Sequence, residues 1–437
     1  MSKNQITVPI TIDHIARIEG KAGIEVLLEN DNLKEIKVNV FEGPRFFEAI
    51  TIGKPVEEAV AIFPRVCSFC AAAHKITALQ AAENALDIKP SKQTELLREL
   101  MYLGDQIESH TLHLFLLALP DFLGYLDAFS MSNKYPIEVK SALKLKDIGA
   151  KIQILLGSRF MHQENAIIGG FGKIPTKNSL HEIKEELISL KEESEIALNL
   201  FLKQEIWPEV ASKRTHLALQ PKGKTYSILG ENISTSDGDT FPASEYRNHI
   251  KEEVVSHSFA KHSTYKGKPF MTSALSRITL FNNLLTGRGK DFFEQTKDLL
   301  DSANPLANNL AQAIELVYFI DYATELTDVL VENLKDEKPK KYKIKEAGHG
   351  VSVSEAPRGL LAYTIDVNKQ GLIEKADIIT PTAMFLPQVE VDLRQETNAL
   401  LEQGIKDSKI ISQKLETIVR AYDPCVSCSV HVTEVKK

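Results

Sequence analysis

Apolar and polar positions alternate over the first forty residues, and the spacing becomes helical beyond Pro64. Val8 to Ile12 and Gly23 to Leu28 read as strands. Glu29-Asn30-Asp31-Asn32 reads as a turn, with Ile36 to Val40 returning as a hairpin partner. Ala71 to Leu86 is alanine-rich with no breaker and predicts a helix. Ser91 can cap a second, long helix through Leu96, Leu97, Leu100 and Leu103 to Leu119, where Pro120 is expected to stop it.

Further helical spacing runs from about Ile137 to Leu156, from Leu180 to Phe201, and from Lys290 to Leu334 with an interruption at Pro305. Trp207 to Arg288 is irregular, with glycines, Ser/Thr clusters and short apolar runs. The charged segment Lys335 to Lys341 reads as a surface connector. Short strands are expected from Gly350 to Val391 and a helix from Ala399 to Tyr422. There is no internal repeat and no low-complexity tract. The pattern predicts an α+β chain, mainly α, in which a helical bundle carries small sheets. It is expected to form a single unit over 1–437. A β part covers about 1–60, a helical core about 61–206 and 289–437, and a mixed insertion about 207–288.

Composition narrows the function. A chain of 437 residues with 43% hydrophobic and 25% charged residues can bury a large core. The 59 acidic and 52 basic residues leave a net charge of −7 with no basic stripe, which argues against a nucleic-acid partner. No apolar run has the length of a membrane span, and Met-Ser-Lys-Asn-Gln lacks a signal-peptide core, so a cytoplasmic location is expected.

The 4 cysteines fall as Cys67-x-x-Cys70 and Cys425-x-x-Cys428. In a reducing compartment, two CxxC pairs point to metal or redox work. Each pair stands at an expected helix start, with Asp423 and Pro424 as cap and first position of the second. Residues three apart share a helical face, and a helix N-terminus lowers a thiol pKa. Four thiolates suit zinc, iron–sulfur iron or nickel. Almost the whole chain separates the pairs, far more than in a zinc ribbon, but spacing alone leaves these metals open.

The flanking residues are more specific. Pro64-Arg65-Val-Cys67-Ser-Phe-Cys70-Ala-Ala-Ala-His74 resembles the first cysteine motif of the nickel–iron hydrogenase large subunit. Asp423-Pro424-Cys425-Val-Ser-Cys428-Ser-Val-His431 resembles the second. Arg17-Ile-Glu19-Gly20, Gly43-Pro-Arg45-Phe-Phe-Glu48, Ser109-His110-Thr-Leu-His113 and Glu355-Ala-Pro357-Arg358-Gly359 resemble other motifs of that family, in the expected order. The resemblance spans nearly the whole chain and is closest to the soluble NADP-linked group that includes the sulfhydrogenases. Ser68 and Phe69 replace the Gly-Val common between the first two cysteines and touch no ligand position.

The resemblance implies the hydrogenase large-subunit fold and reversible cleavage of dihydrogen. It implies that Cys67 and Cys425 are terminal nickel ligands, while Cys70 and Cys428 also hold an iron carrying cyanide and carbon monoxide. Arg358 would lie over these diatomic ligands, and Pro381 and Thr382 would surround the other cyanide. Glu19 would be the first proton acceptor; its alternative is a strand-end acid. An ordinary salt bridge with Glu355 is the alternative for Arg358. His74, His113 and Asp423 would support the site without binding metal, and Glu48 with His431 would hold a separate magnesium or iron.

The resemblance also implies partners. With no further cysteines and no glycine-rich dinucleotide loop, electrons would leave through a delta-type iron–sulfur small subunit. Gamma- and beta-type subunits would carry FAD, NADP and ferredoxin-like clusters, and a maturation endopeptidase would cut after His431. Two readings compete. A quinone-side coupling subunit related to respiratory complex I is expected to lack the paired cysteines, and a zinc-stapled scaffold would hold zinc without redox activity.

Overall fold

The structure, a computed structural model, describes residues 7–43, 45–203 and 212–430. Thr7–Ile12, Ala22–Glu29 and Asn32–Val40 form an antiparallel three-stranded sheet in sequence order. Alternate residues Ile24, Val26, Ile36, Val38 and Val40 are buried on one face, as the period of two requires. Asn30 and Asp31 make the turn at φ 51° and 65°, a conformation these two residue types tolerate.

The helix Ala71–Ala85 owes its alanines to close packing on the strand Gly348–Ala356. A Cβ on Gly348 would come within 1.7 Å of the Ala85 carbonyl oxygen, and one on Gly350 within 1.9 Å of that of Ala81. Small residues on both elements let helix and sheet meet almost backbone to backbone. Ser91 caps Lys92–Thr111 by accepting from the Thr94 amide at 3.1 Å. Pro120 does not end this helix. The chain continues through π-type turns Leu112–Ala118 into Leu119–Leu123, where Pro120 occupies the first turn and needs no N–H partner. Gly124, at φ 73°, ends it. The other long helices are Pro136–Gly157, Lys177–Ser189, Lys191–Phe201 and the central Ala307–Asn333, which is buried over most of its length. The single helix expected from Leu180 to Phe201 is thus two, divided at Leu190.

Gly348–Ala356, Gly359–Val367 and Ile373–Ile379 form an antiparallel meander. The strands expected as far as Val391 stop at Ile379. A helix, Pro381–Glu402, replaces the remainder, because extended Thr380 precedes a proline in the first turn. The helix expected from Ala399 to Tyr422 is broken at Gly404, φ 78°, and restarts as Ser408–Ala421. Asp407 caps this second helix through the Lys409 amide at 2.8 Å. Thr215–Pro221, Gly230–Thr235, Thr240–Pro242 and Phe270–Met271 form a four-stranded sheet, and Ile250–Glu253 pairs with His262–Tyr265.

A fully buried ionic cluster ties these parts together. Arg277 donates to Glu315 at 2.7 and 2.6 Å and to Glu355 at 3.0 Å, while His110 meets Glu315 at 2.7 Å. Arg277 also donates to the carbonyls of Ala356 and Pro357 at 3.2 and 3.3 Å, fixing the turn that leads to Arg358. Glu355, the partner of Arg358 in the alternative salt-bridge reading, is therefore taken by Arg277.

His216 gives the fold an acid-sensitive point. Its Nδ1 meets Ser276 Oγ at 3.0 Å and its Nε2 the Ser302 carbonyl at 2.9 Å, and burial pushes its pKa down to about 4. A histidine whose folded pKa lies below its unfolded value stabilises the fold above pH ~6.5 and loses that contribution as the pH falls toward ~4. The loss amounts to about 3 kcal/mol. Denaturant midpoints measured across this window should flatten in His216→Gln, and an unchanged slope would exclude His216 as the origin.

Candidate metal centre

The two cysteine pairs meet from opposite ends of the chain. Cys67 follows the short helical turn Phe63–Val66, and Cys70 sits at the head of Ala71–Ala85. Cys425 and Cys428 lie beyond the end of Ser408–Ala421, in a tight turn that includes Ser427–Ser429. The second pair thus does not open an α-helix as expected. Asp423 adopts φ 53° and turns its carboxylate inward, to Arg358 and Gln312, instead of capping. Cys67 Sγ lies 3.5 Å from Cys425 Sγ, and Cys70 Sγ lies 3.8 Å from Cys428 Sγ. The Cys425 and Cys428 sulfurs stand against each other, and those of Cys67 and Cys70 are buried beside them. All four sulfurs are buried within 4.8 Å of one another.

Burial decides the chemistry of Cys70. It pushes the Cys70 thiol well up, with the neighbouring Cys67 sulfur adding to the effect and Arg358 opposing it. The helix N-terminus therefore does not win at Cys70. A thiolate there needs a positive charge beside it, which a bound cation provides. A small enclosed cavity adjoins the sulfurs, lined by Cys70, His74, Arg358, Pro381, Thr382 and Cys425 among others.

Arg358 is anchored by Asp423, which accepts from its Nε at 3.1 Å and its Nη2 at 3.0 Å. Burial opposes the guanidinium charge, but Asp423 and the cysteine sulfurs more than offset this and hold the group firmly charged. Its Nη1 is buried and has no protein partner, an orphan donor at the cavity wall. Thr382 Oγ1 accepts from the Cys425 amide at 3.0 Å, so the start of Pro381–Glu402 is tied to the second cysteine turn.

Glu19 sits against the same turn. Its Oε2 lies 3.1 Å from Cys425 Sγ and accepts from the Ser427 amide at 3.2 Å, and its Oε1 accepts from the Ser427 hydroxyl. Its carbonyl takes the Val426 amide at 2.8 Å. Gly20, φ 90°, permits this approach, since a Cβ there would stand 2.7 Å from the Ser427 nitrogen. His74 lines the cavity and bonds Tyr363 at 2.6 Å. His113 stands further out, between Gln312 and the Arg420 carbonyl, and reaches the site only through Gln312, which donates to Asp423 at 3.1 Å.

Glu48 lies apart from the thiols. Its Oε1 accepts from the Ile378 amide at 2.7 Å, its Oε2 is buried without a partner, and burial raises its pKa to about 7. Arg45 holds the end of the described chain alongside, its amide donating to the Val430 carbonyl at 3.1 Å. His431 itself lies outside the described residues. Arg277, Gln312, Ser427 and Tyr363 support the site without having been singled out from sequence. Their partners lie tens to hundreds of positions away, and only the placement of Ser427 between two cysteines could have marked it.

The nickel-dependent hydrogenase family profile matches residues 45–141 and 222–431. The chain belongs to this family. It is similar to the alpha subunit of sulfhydrogenase 1 of Pyrococcus furiosus, at 51% identity over 98% of this chain and 99% of that protein. It is 36% identical to the alpha subunit of that organism's sulfhydrogenase 2, over 98% of this chain and 100% of the relative. Among solved structures, the fold matches an NAD+-reducing [NiFe]-hydrogenase with a TM-score of 0.88 and 22% identity, covering 98% of this chain and 100% of that one. A [NiFeSe]-hydrogenase of Dm. baculatum matches with a TM-score of 0.80 and 22% identity over the same shares.

This is therefore the catalytic large subunit of a nickel–iron hydrogenase, an oxidoreductase acting on dihydrogen. The mainly helical α+β fold expected from sequence is the fold of these large subunits. Among the described residues, no helix is long and apolar enough to cross a membrane. The donor set fits the family's metal pair, offering four buried sulfurs in one cluster, a fixed cation and an orphan N–H beside them.

Proposed function

We propose that Cys67 and Cys425 bind nickel alone, while Cys70 and Cys428 also bind an iron that carries cyanide and carbon monoxide. The observation that carries this reading is the convergence of four buried sulfurs, from pairs far apart in the chain, into one cluster beside a cavity. When bound, the metal pair supplies a Lewis-acidic site for heterolytic cleavage of dihydrogen. Arg358, pinned by Asp423, leaves Nη1 to donate to a cyanide nitrogen. Thr382 and Pro381 close the other side of the cavity, around the second cyanide. Glu19 takes the proton from the Cys425 sulfur it already touches, and the two donors of Ser427 hold the carboxylate in place to receive it. His74 and His113 hold the surroundings through Tyr363 and Gln312.

Glu48 and His431 hold a magnesium or iron ion in this reading. A buried carboxylate oxygen without a partner supports the Glu48 half. The maturation endopeptidase cuts after His431. Electrons leave through a delta-type iron–sulfur subunit to gamma- and beta-type partners that carry FAD, NADP and ferredoxin-like clusters in the cytoplasm. The identity to a sulfhydrogenase alpha subunit supports this NADP-linked assignment and a capacity to reduce sulfur.

One preparation tests these points. Anaerobically purified complex should contain nickel and iron at the cysteines, show cyanide and carbon monoxide infrared bands, and contain a chain whose intact mass ends at His431. Zinc at full occupancy without such bands would sink the metal assignment. A full-length mass in active enzyme would sink the processing step.

A further inference from the structure

Away from the thiols, one other group of side chains among the described residues gathers metal-ligand atoms: His257, His262 and Glu390. Glu390 belongs to the helix Pro381–Glu402, and His262 opens the strand His262–Tyr265. His257 lies in the loop joining that strand to Ile250–Glu253. One ligand atom from each lies within 4.8 Å of the other two.

An ion pair explains only part of this arrangement. His257 Nε2 meets Glu390 Oε1 at 2.8 Å, and the same oxygen accepts from the Val38 amide at 2.9 Å. His262 is 8% exposed, its ring stands edge-on to that of His257 at 5.4 Å between centroids, and its Nε2 has no partner. A buried imidazole nitrogen left unpaired costs free energy, and here it stands beside a second imidazole and a carboxylate.

We propose that His257, His262 and Glu390 form a second metal site, for a zinc-class divalent cation. Two imidazoles and one carboxylate suit zinc, cobalt or nickel better than magnesium or calcium. The His257 and Glu390 side chains keep 19% and 20% exposure, which leaves a side open for water as a fourth ligand. The Val38 amide fixes the carboxylate from outside the ligand set, as backbone donors commonly do.

The role of the ion is mechanical. Phe259 donates to the Val40 carbonyl at 2.9 Å, and Val40 donates to Ser258 Oγ at 3.3 Å, so the histidine loop lies along the free edge of Asn32–Val40. A cation held by His257, His262 and Glu390 clips this loop and that edge to the helix whose first turn, Pro381 and Thr382, walls the thiol cavity. It holds in place the loop that already covers this strand edge, and takes no part in the redox reaction.

The test uses the purified hydrogenase complex with its thiol centre loaded. After a chelator wash, the complex is dialysed against cobalt(II), and cobalt is counted by mass spectrometry and examined by X-ray absorption. The expected result is about one bound equivalent with nitrogen and oxygen neighbours only. In His262→Ala the affinity should fall at least ~100-fold, more than loss of an outer hydrogen-bond partner causes. Glu390→Gln, which can still accept the Val38 amide and so keeps the loop packed, should lose the ion as well. Failure of wild-type complex to take up cobalt, sulfur among its neighbours, or unchanged affinity in Glu390→Gln overturns the site.

Discussion

Glu19→Gln should yield a hydrogenase that assembles its metal centre and turns over at least ~100-fold more slowly, the contribution of a positioned acid–base group. Glutamine matches the size of glutamate; its carbonyl oxygen can accept from the Ser427 amide while its NH2 donates to the Ser427 hydroxyl oxygen. The backbone bond from the Val426 amide to the residue 19 carbonyl is untouched, so the second cysteine turn should stay closed. Only the capacity to take a proton from the Cys425 sulfur, 3.1 Å away, is lost. Nickel content and infrared bands should therefore match wild type while acceptor-linked dihydrogen oxidation falls. Near wild-type turnover would show that Glu19 is a structural acid and that the proton leaves by another route.

Arg358→Lys should fall in kcat by a similar factor, about 100-fold, the effect of removing one preorganised donor. The guanidinium does two things at once, gripping Asp423 with Nε and Nη2 while Nη1 remains free at the cavity. A lysine ammonium is a single point that can satisfy Asp423 or reach the cavity, but not both. The cyanide bands should shift while carbon monoxide and metal content hold. A purely structural arginine would leave those bands in place. Arg358→Leu separates stability from positioning, because it leaves the Asp423 carboxylate buried and unpaired, at a cost of about 3–5 kcal/mol. If Arg358→Leu proved as stable as wild type, the buried pair would not be what holds the two segments together.

Residues with fixed local spacing were legible in the sequence itself. Spacing marked the two cysteine pairs, while the family resemblance singled out Glu19 and Arg358; the four sulfurs gather, Glu19 meets Cys425, Arg358 lines the cavity, and the first hairpin with its Asn30-Asp31 turn stands where alternation put it. Pairing across the chain was not legible. Arg358 and Glu355 are near neighbours in sequence, yet Glu355 is captured by Arg277 and Arg358 reaches Asp423 instead. Local charge spacing carries no information about which buried partner a side chain meets. The part of the helix Pro381–Glu402 as far as Val391 was read as strand; its Met384-Phe385-Leu386 is an unbroken apolar run, buried whichever way the backbone winds. The supposed cap Asp423 shows a similar limit. Its left-handed backbone and buried arginine partner come from the fold around it, not from the Asp-Pro pair.

Cys67 and Cys425 touch across 358 positions of sequence. At a translation rate of ~5–20 residues per second, roughly 20–70 s pass between the ribosome making the first thiol and making its partner. Throughout that interval the nascent chain carries half a donor set. Two thiols held at the head of one helix can dock a metal fragment loosely, but cannot enclose it. The four-sulfur donor set is therefore complete only once nearly the whole chain has been made.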